Sequence, residues 1–132
     1  FELELDLQGI SVYSDRRWLV YLLDQLLANA VKYRKEKPCL SFHAVKEGRE
    51  VRLMVEDNGM GISPEDLPYI FEKGYVGKTL RKGDYHSTGM GLAFAKQIAE
   101  LLCISLEVSS VEGEKTCFFL RFQDNADHLL LP

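Results

Sequence analysis

The stretch Glu56-Asp57-Asn58-Gly59-Met60-Gly61-Ile62 sets an acid before two glycines at the mouth of a predicted strand. A carboxylate in a glycine-lined turn can accept from a base amine, while bare backbone lets a flat ligand come close. The plainer reading is a strand-ending turn, with Asp and Gly there for the backbone alone. Against it, a fresh helix start follows at Ser63-Pro64-Glu65-Asp66, and the preceding strand is apolar enough to place Asp57 at a buried edge. A buried carboxylate needs a donor, and the exocyclic amine of adenine is one.

Two further groups have chemical types at useful spacing. Gln25, Asn29 and Lys32 fall at i, i+4 and i+7, so they share a helix face, with Tyr33 beside it. A solvated polar face explains Lys32, but Asn is a poor helix former whose place in a helix interior needs a reason. Its carbonyl oxygen suits Mg²⁺, which takes oxygen ligands and keeps phosphate oxygens and water as the rest. Lys32 would then neutralise phosphate and Tyr33 pack near a base. The third group is Ser87-Thr88-Gly89-Met90-Gly91. Small and hydroxyl residues at a helix N-terminus expose N–H groups to an anion, and two glycines there are costly unless used.

The elements that position these groups follow from periodicity. Phe1–Leu7 alternate apolar and acidic, predicting a half-buried strand, and Val12-Tyr13 suggest a second short one. Ser14 or Asp15 caps a helix over about 15–33, which Pro38 cannot let continue. Cys39–Val45 and Arg49–Glu56 read as strands around a turn at Lys46-Glu47-Gly48. Ser63 caps a short helix ending near Phe71-Glu72, with Pro64 at its first position. Residues 73–87 lack periodicity and are rich in Gly, Lys and Arg, and that length of irregular chain is expected of a functional lid or a mobile segment. A second long helix opens at Thr88-Gly89-Met90-Gly91, and Ile104–Val111 and Lys115–Phe122 alternate as strands. The order predicts an α+β fold, a mixed sheet with helices layered on one face, over residues 1–122 and a tail at 123–132.

Composition narrows the function classes. A chain of 132 residues with 46% hydrophobic and 27% charged residues suits one globular domain. A net charge of −4 gives no field for nucleic acid or an anionic membrane. Cys39, Cys103 and Cys117 have no C-x-x-C spacing and read as reduced core thiols; His43, His86 and His128 form no metal cluster. No apolar run spans a bilayer, and the chain starts at Phe1, as a fragment would. Gly77-Lys78-Thr79 is not a P-loop, since Glu72 stands where its first Gly belongs. Neither Gly59-x-Gly61 nor Gly89-x-Gly91 completes a dinucleotide fingerprint, because Pro64 and Phe94 take the third glycine's place.

Together the motifs resemble the catalytic ATP-binding domain of bacterial sensor histidine kinases over about residues 1–122. Asp24–Tyr33 is similar to that family's N box, Asp57–Ile62 to its G1 box, Tyr69–Tyr75 to its F box and Ser87–Leu92 to its G2 box. The wording around Phe71-Glu72-Lys73-Gly74 resembles the small-sensor kinases of Gram-positive bacteria that answer cell-envelope-active peptides, often beside an ABC transporter. The resemblance implies the Bergerat fold, a two-layer α/β sandwich, with ATP and Mg²⁺ as cofactors. It implies Asp57 on the adenine amino group, Asn29 on Mg²⁺, Lys32 near the phosphates and Tyr33 by the adenine. Gly59, Gly61, Ile62, Phe71, Thr88, Gly89, Met90, Gly91, Leu92 and Thr116 would complete the nucleotide site.

The sequence departs from the family pattern at two positions. Gln25 replaces the first Asn of the N box, and Lys115 replaces a Gly in Gly113-Glu114-Lys115-Thr116. The hydrolytic ATPases that share this fold carry a Glu at the position of Gln25 as general base, and a carboxamide cannot take that proton. Asp24 points about 100° away around the helix. The resemblance therefore implies a kinase with Asn29, Lys32 and Gln25 at its catalytic face, transferring phosphate to a histidine on a separate dimerisation domain. A response regulator would be the downstream partner. The domain would be monomeric, on the cytoplasmic side of a membrane-anchored parent, and would bind ATP without phosphorylating itself efficiently. The alternatives are a hydrolytic ATPase of the same fold and a non-catalytic interaction module.

Overall fold

The computed structural model describes residues 1–75 and 91–123. Apolar residues at helical spacing between Trp18 and Ala30 form helix α1, Arg16–Lys32, and bury Leu22, Leu26 and Ala30. Asp15 is its cap, accepting from the Trp18 N–H at 3.2 Å. Helix α2, Gly91–Leu101, buries Ala93, Ala95, Ile98 and Ala99. The strands are β1 (Glu2–Asp6), β2 (Cys39–Glu47), β3 (Glu50–Asp57), β4 (Ser105–Val111) and β5 (Lys115–Gln123). They form one sheet in the order β1-β2-β3-β5-β4. β1 runs parallel to β2, and every other pair is antiparallel. The fold is therefore α+β with a mixed sheet, as the element order predicts.

Strand parity places the core. Val51, Val55, Leu106, Phe118, Leu120 and Phe122 share one face and cluster with Leu22, Leu26, Ala95, Ile98 and Ala99 of the helices. The other face alternates to charge, as at Arg52, Glu56 and Arg121. Both hairpins close on glycines with positive φ, Gly48 and Gly113. The β4–β5 turn forms without a glycine at Lys115, which instead begins β5 opposite Val111.

Four expectations need correction. β1 is not half-buried: all five residues are exposed, Leu3 at 56% and Leu5 at 61%. Register pairs them with Leu40 and Phe42, on the core-facing side. They sit at the sheet edge, beyond the cluster formed by the helices with β3, β4 and β5. Val12-Tyr13 forms no strand; this segment crosses from the edge to α1, and Ile10 and Val12 pack on the core as loop residues. The helix expected from Ser63 to Glu72 is a turn and one 3₁₀ segment, Leu67–Tyr69. Pro68 lies inside it and lacks the N–H that a continuous α-helix from Ser63 would need there. Of the cysteines only Cys117 is a core thiol, whereas Cys103 is exposed and Cys39 half-buried. All three are free.

Candidate functional site

β3 ends on Asp57, and register sets Asp57 opposite Thr116 on β5. Both are buried, Asp57 at 6% exposure. The Asp57 Oδ1 accepts the Gly59 N–H at 2.8 Å. Among the described residues this is the carboxylate's only hydrogen bond, and no buried side-chain polar atom there lacks a partner. The second oxygen is thus open to solvent, and to a donor. Burial pushes the carboxyl above its ordinary value of 3.8; the Gly59 N–H works against this and the charge of Glu56 adds to it.

The loop after Asp57 is tied to three separate parts of the chain. Asn58 Oδ1 accepts the Cys39 N–H at 2.7 Å, and its Nδ2 donates to the Lys37 carbonyl at 3.2 Å. Met60 N–H donates to the Tyr33 carbonyl at 2.9 Å, and Gly113 N–H donates to the Met60 carbonyl at 2.6 Å. Ile62 N–H donates to Ser110 Oγ at 2.7 Å, and the Ser110 hydroxyl in turn donates a hydrogen bond to the Lys115 carbonyl at 2.7 Å. Ser110 Oγ also lies 3.2 Å from Thr116 Oγ1. The glycines serve these contacts. A Cβ on Gly59 would stand 2.6 Å from the Tyr33 carbonyl oxygen, and one on Gly61, at φ +71, would lie under 2.5 Å from that of Val111. The bare backbone therefore meets protein on these sides, not ligand.

A small cavity of about 50 Å³ opens beside this loop. α1 supplies Asn29 and its C-cap residue Tyr33, the loop Ile62, and α2 Leu92. Asp66, Ile70 and Tyr75 form the remaining wall. Its enclosed part is far below the several hundred Å³ of small-molecule sites, so it takes the end of a ligand. Gln25 joins α1 to the start of α2, its Oε1 lying 3.0 Å from where a Cβ on Gly91 would be. Lys32 is exposed, with Nζ 5.4 Å from the Tyr33 ring centroid. Phe71 lies elsewhere: it packs on the core against Phe118, with ring centroids 6.4 Å apart. Thr88, Gly89 and Met90 lie outside the described residues, as do His86, His128 and the segment 124–132.

Sequence reasoning missed Asp66, Ile70, Tyr75 and Ser110. Ile70 and Tyr75 fall inside the F-box wording, so a signal existed for them; Asp66 read only as a helix-start acid. Ser110 carried none, since its role depends on β4 lying beside the loop. A larger cavity of about 280 Å³ lies on the open sheet face, lined by Arg52, Glu107, Phe119 and Arg121 among others. Its arginines are already paired, Arg52 with Glu50 and Arg121 with Glu50 and Glu107. That self-compensated surface is not the nucleotide candidate.

For a divalent metal the donor set is sparse. No group of three His, Cys, Asp or Glu among the described residues can hold an ion. Asn29 at the cavity wall fits Mg²⁺ in the manner of nucleotide sites, one protein oxygen with phosphates and water completing the shell.

Residues 14–126 match the family model described as histidine kinase-, DNA gyrase B-, and HSP90-like ATPase. The chain is 45% identical over 119 residues to the sensor protein BceS of Halalkalibacterium halodurans, covering 90% of this chain and 35% of that protein. It is 34% identical to the sensor histidine kinase GraS of Staphylococcus haemolyticus, covering 90% and 34%. The chain thus spans about a third of the relatives' length. Among solved structures, the mycobacterial sensor histidine kinase MprB superposes with a TM-score of 0.80 at 21% identity, covering 92% of this chain and 82% of that one. The Acinetobacter baumannii histidine kinase AdeS gives 0.71 at 27% identity, covering 94% and 54%.

Proposed function

This chain belongs to the histidine kinase-, DNA gyrase B-, and HSP90-like ATPase family, and on that footing we propose that it binds Mg-ATP and presents the γ-phosphate to a histidine on a separate dimerisation domain. The observation that carries the reading is Asp57, a buried carboxylate with one oxygen held by Gly59 and the other open. A carboxylate fixed in this way accepts from the adenine amine and selects against a carbonyl at the same place. Asn29 and Tyr33 share one cavity with Ile62 and Leu92, which supports a metal ligand and an apolar base site side by side. Bound Mg²⁺ would neutralise phosphate charge. The chain's own part is then orientation, since phosphoryl transfer depends chiefly on positioning and electrostatics.

Gln25 supports transfer to a protein over hydrolysis. It is half-buried against Gly91 and carries no basic oxygen that could activate water, while Asp24 is exposed on another side of α1. In the parent protein the partners would be a phosphoacceptor domain and a response regulator. An ABC transporter beside a membrane-anchored parent belongs to the same reading and is tested by co-purification. No described helix is long and apolar enough to cross a membrane.

The direct test is calorimetric titration of ATP and ADP with and without Mg²⁺. The chain should bind both, more tightly with the metal, and Asn29→Ala should remove the metal's effect. No binding at millimolar nucleotide, or full Mg²⁺ dependence in Asn29→Ala, would overturn the reading.

A further inference from the structure

The segment Ser63–Tyr75 wraps one side of the cavity in successive turns, each bonded to the one before. Asp66 and Leu67 donate to the Ser63 carbonyl, Tyr69 to that of Asp66, Glu72 to that of Tyr69, and Tyr75 to that of Glu72. The last residue then closes on the first part of the segment. Tyr75 donates its phenolic hydrogen to Asp66 Oδ1 at 2.5 Å, and its ring lies 5.6 Å from that of Tyr69. Asp66 is 3% exposed, and both Asp66 and Tyr75 line the cavity with Asn29 and Tyr33.

We propose that Asp66 is a positioning residue for nucleotide binding, acting through Tyr75 by fixing its ring as a wall of the cavity. A buried carboxylate is costly unless it finds donors, and the Tyr75 phenol supplies one. Its ligand-side work is done by a second residue, which is half-buried and, among the described residues, also meets the Tyr69 ring. With the phenol fixed, the ring is in place before ligand arrives, and binding does not have to order it. The hydrogen bond has its own signature, since it is the largest of the causes, with burial and nearby negative charge, that push the Tyr75 phenol up to about 12. The inference rests on the reading of this cavity as part of the nucleotide site.

The test is a double-mutant cycle on ADP affinity. Tyr75→Phe keeps the ring and loses the bond; Asp66→Ala loses the acceptor; Asp66→Asn keeps an acceptor oxygen without charge. Tyr75→Phe and Asp66→Ala should each weaken binding about threefold to tenfold, in line with freeing one ordered side chain. The double variant should be no worse than either single one, and Asp66→Asn should rescue most of the affinity. Absorbance titration of the phenols should show Tyr75 ionising earlier in Asp66→Ala. Parent-like ADP binding by Tyr75→Phe, or additive losses in the cycle, would overturn the positioning role alone. A parent chain that binds no ADP would overturn the reading of the site and this role with it.

Discussion

Asp57 and Asp66 are both buried carboxylates beside one loop, and they do opposite things. Asp57 gives one oxygen to its own Gly59 backbone and keeps the other open. Asp66 turns an oxygen to the phenol of Tyr75 and so sets a neighbouring side chain. A carboxylate that leaves acceptor capacity at a cleft is available to a ligand; one whose oxygen is taken by protein shapes the cleft. Burial alone does not separate the two roles, and the hydrogen-bond partners do.

Their surroundings differ in the same sense, and substitutions can break the comparison. The loop after Asp57 is clamped by backbone contacts, whereas the last turn before Tyr75 is exposed at Glu72, Lys73 and Gly74. Gly61 and Gly74 both adopt positive φ, at +71 and +78, but among the described residues only Gly61 of the two faces protein, with nothing within 4 Å of a Cβ on Gly74. Gly61→Ala should cost about 3 kcal/mol or more, from strain plus collision with the Val111 carbonyl. Gly74→Ala should cost about 1 kcal/mol, the left-handed penalty alone. Urea denaturation of the two variants checks the difference, and equal losses would mean that the loop is not clamped as described.

Ser110→Ala is the next effect in size. It leaves the Ile62 N–H without its partner, and a buried unsatisfied donor costs about 1–3 kcal/mol. Ser110→Thr keeps the hydroxyl and should retain more stability in the same denaturation series. Smallest is the effect of Asp57→Asn on stability, and its sign is informative. Burial raises the Asp57 pKa, so the folded chain holds this proton more tightly than the unfolded one. The stability this contributes is full below the unfolded value of about 3.8 and is lost as pH rises through the raised folded value. At neutral pH the ionised form is therefore a cost. Asp57→Asn should melt no lower than the parent at pH 7, and the parent should lose stability relative to it as pH rises through that window. A variant that melts well below the parent would show that the carboxylate serves the fold.

The sequence made α1, α2 and the paired strands legible because their apolar spacing is regular and their turns carry Gly. That Asp57 is buried and that Asn29 and Tyr33 lie together was legible from an apolar strand before an acid and from helical spacing. Three things were hidden, each for a physical reason. The exposure of Leu3 and Leu5 depends on where the helices end over the sheet, which alternation cannot report. The loss of the helix after Ser63 was written at Pro68, whose effect the capping signal at Ser63 masked. The glycines at 59 and 61 suggested room for a ligand, yet the atoms they admit belong to Tyr33 and Val111, distant in sequence. The role of Ser110 is likewise a tertiary fact, made by segments 48 residues apart that meet only after folding.

The central claim is that Asp57 leaves a carboxylate oxygen for the adenine amine. Titrating ADP and GDP into the parent and into Asp57→Asn tests it most directly. The account predicts that the parent prefers ADP by at least about tenfold, in keeping with a charge-assisted hydrogen bond of about 1.5–3 kcal/mol. The variant should lose that preference while remaining folded. An Asp57→Asn chain that still selects ADP as the parent does would contradict the account.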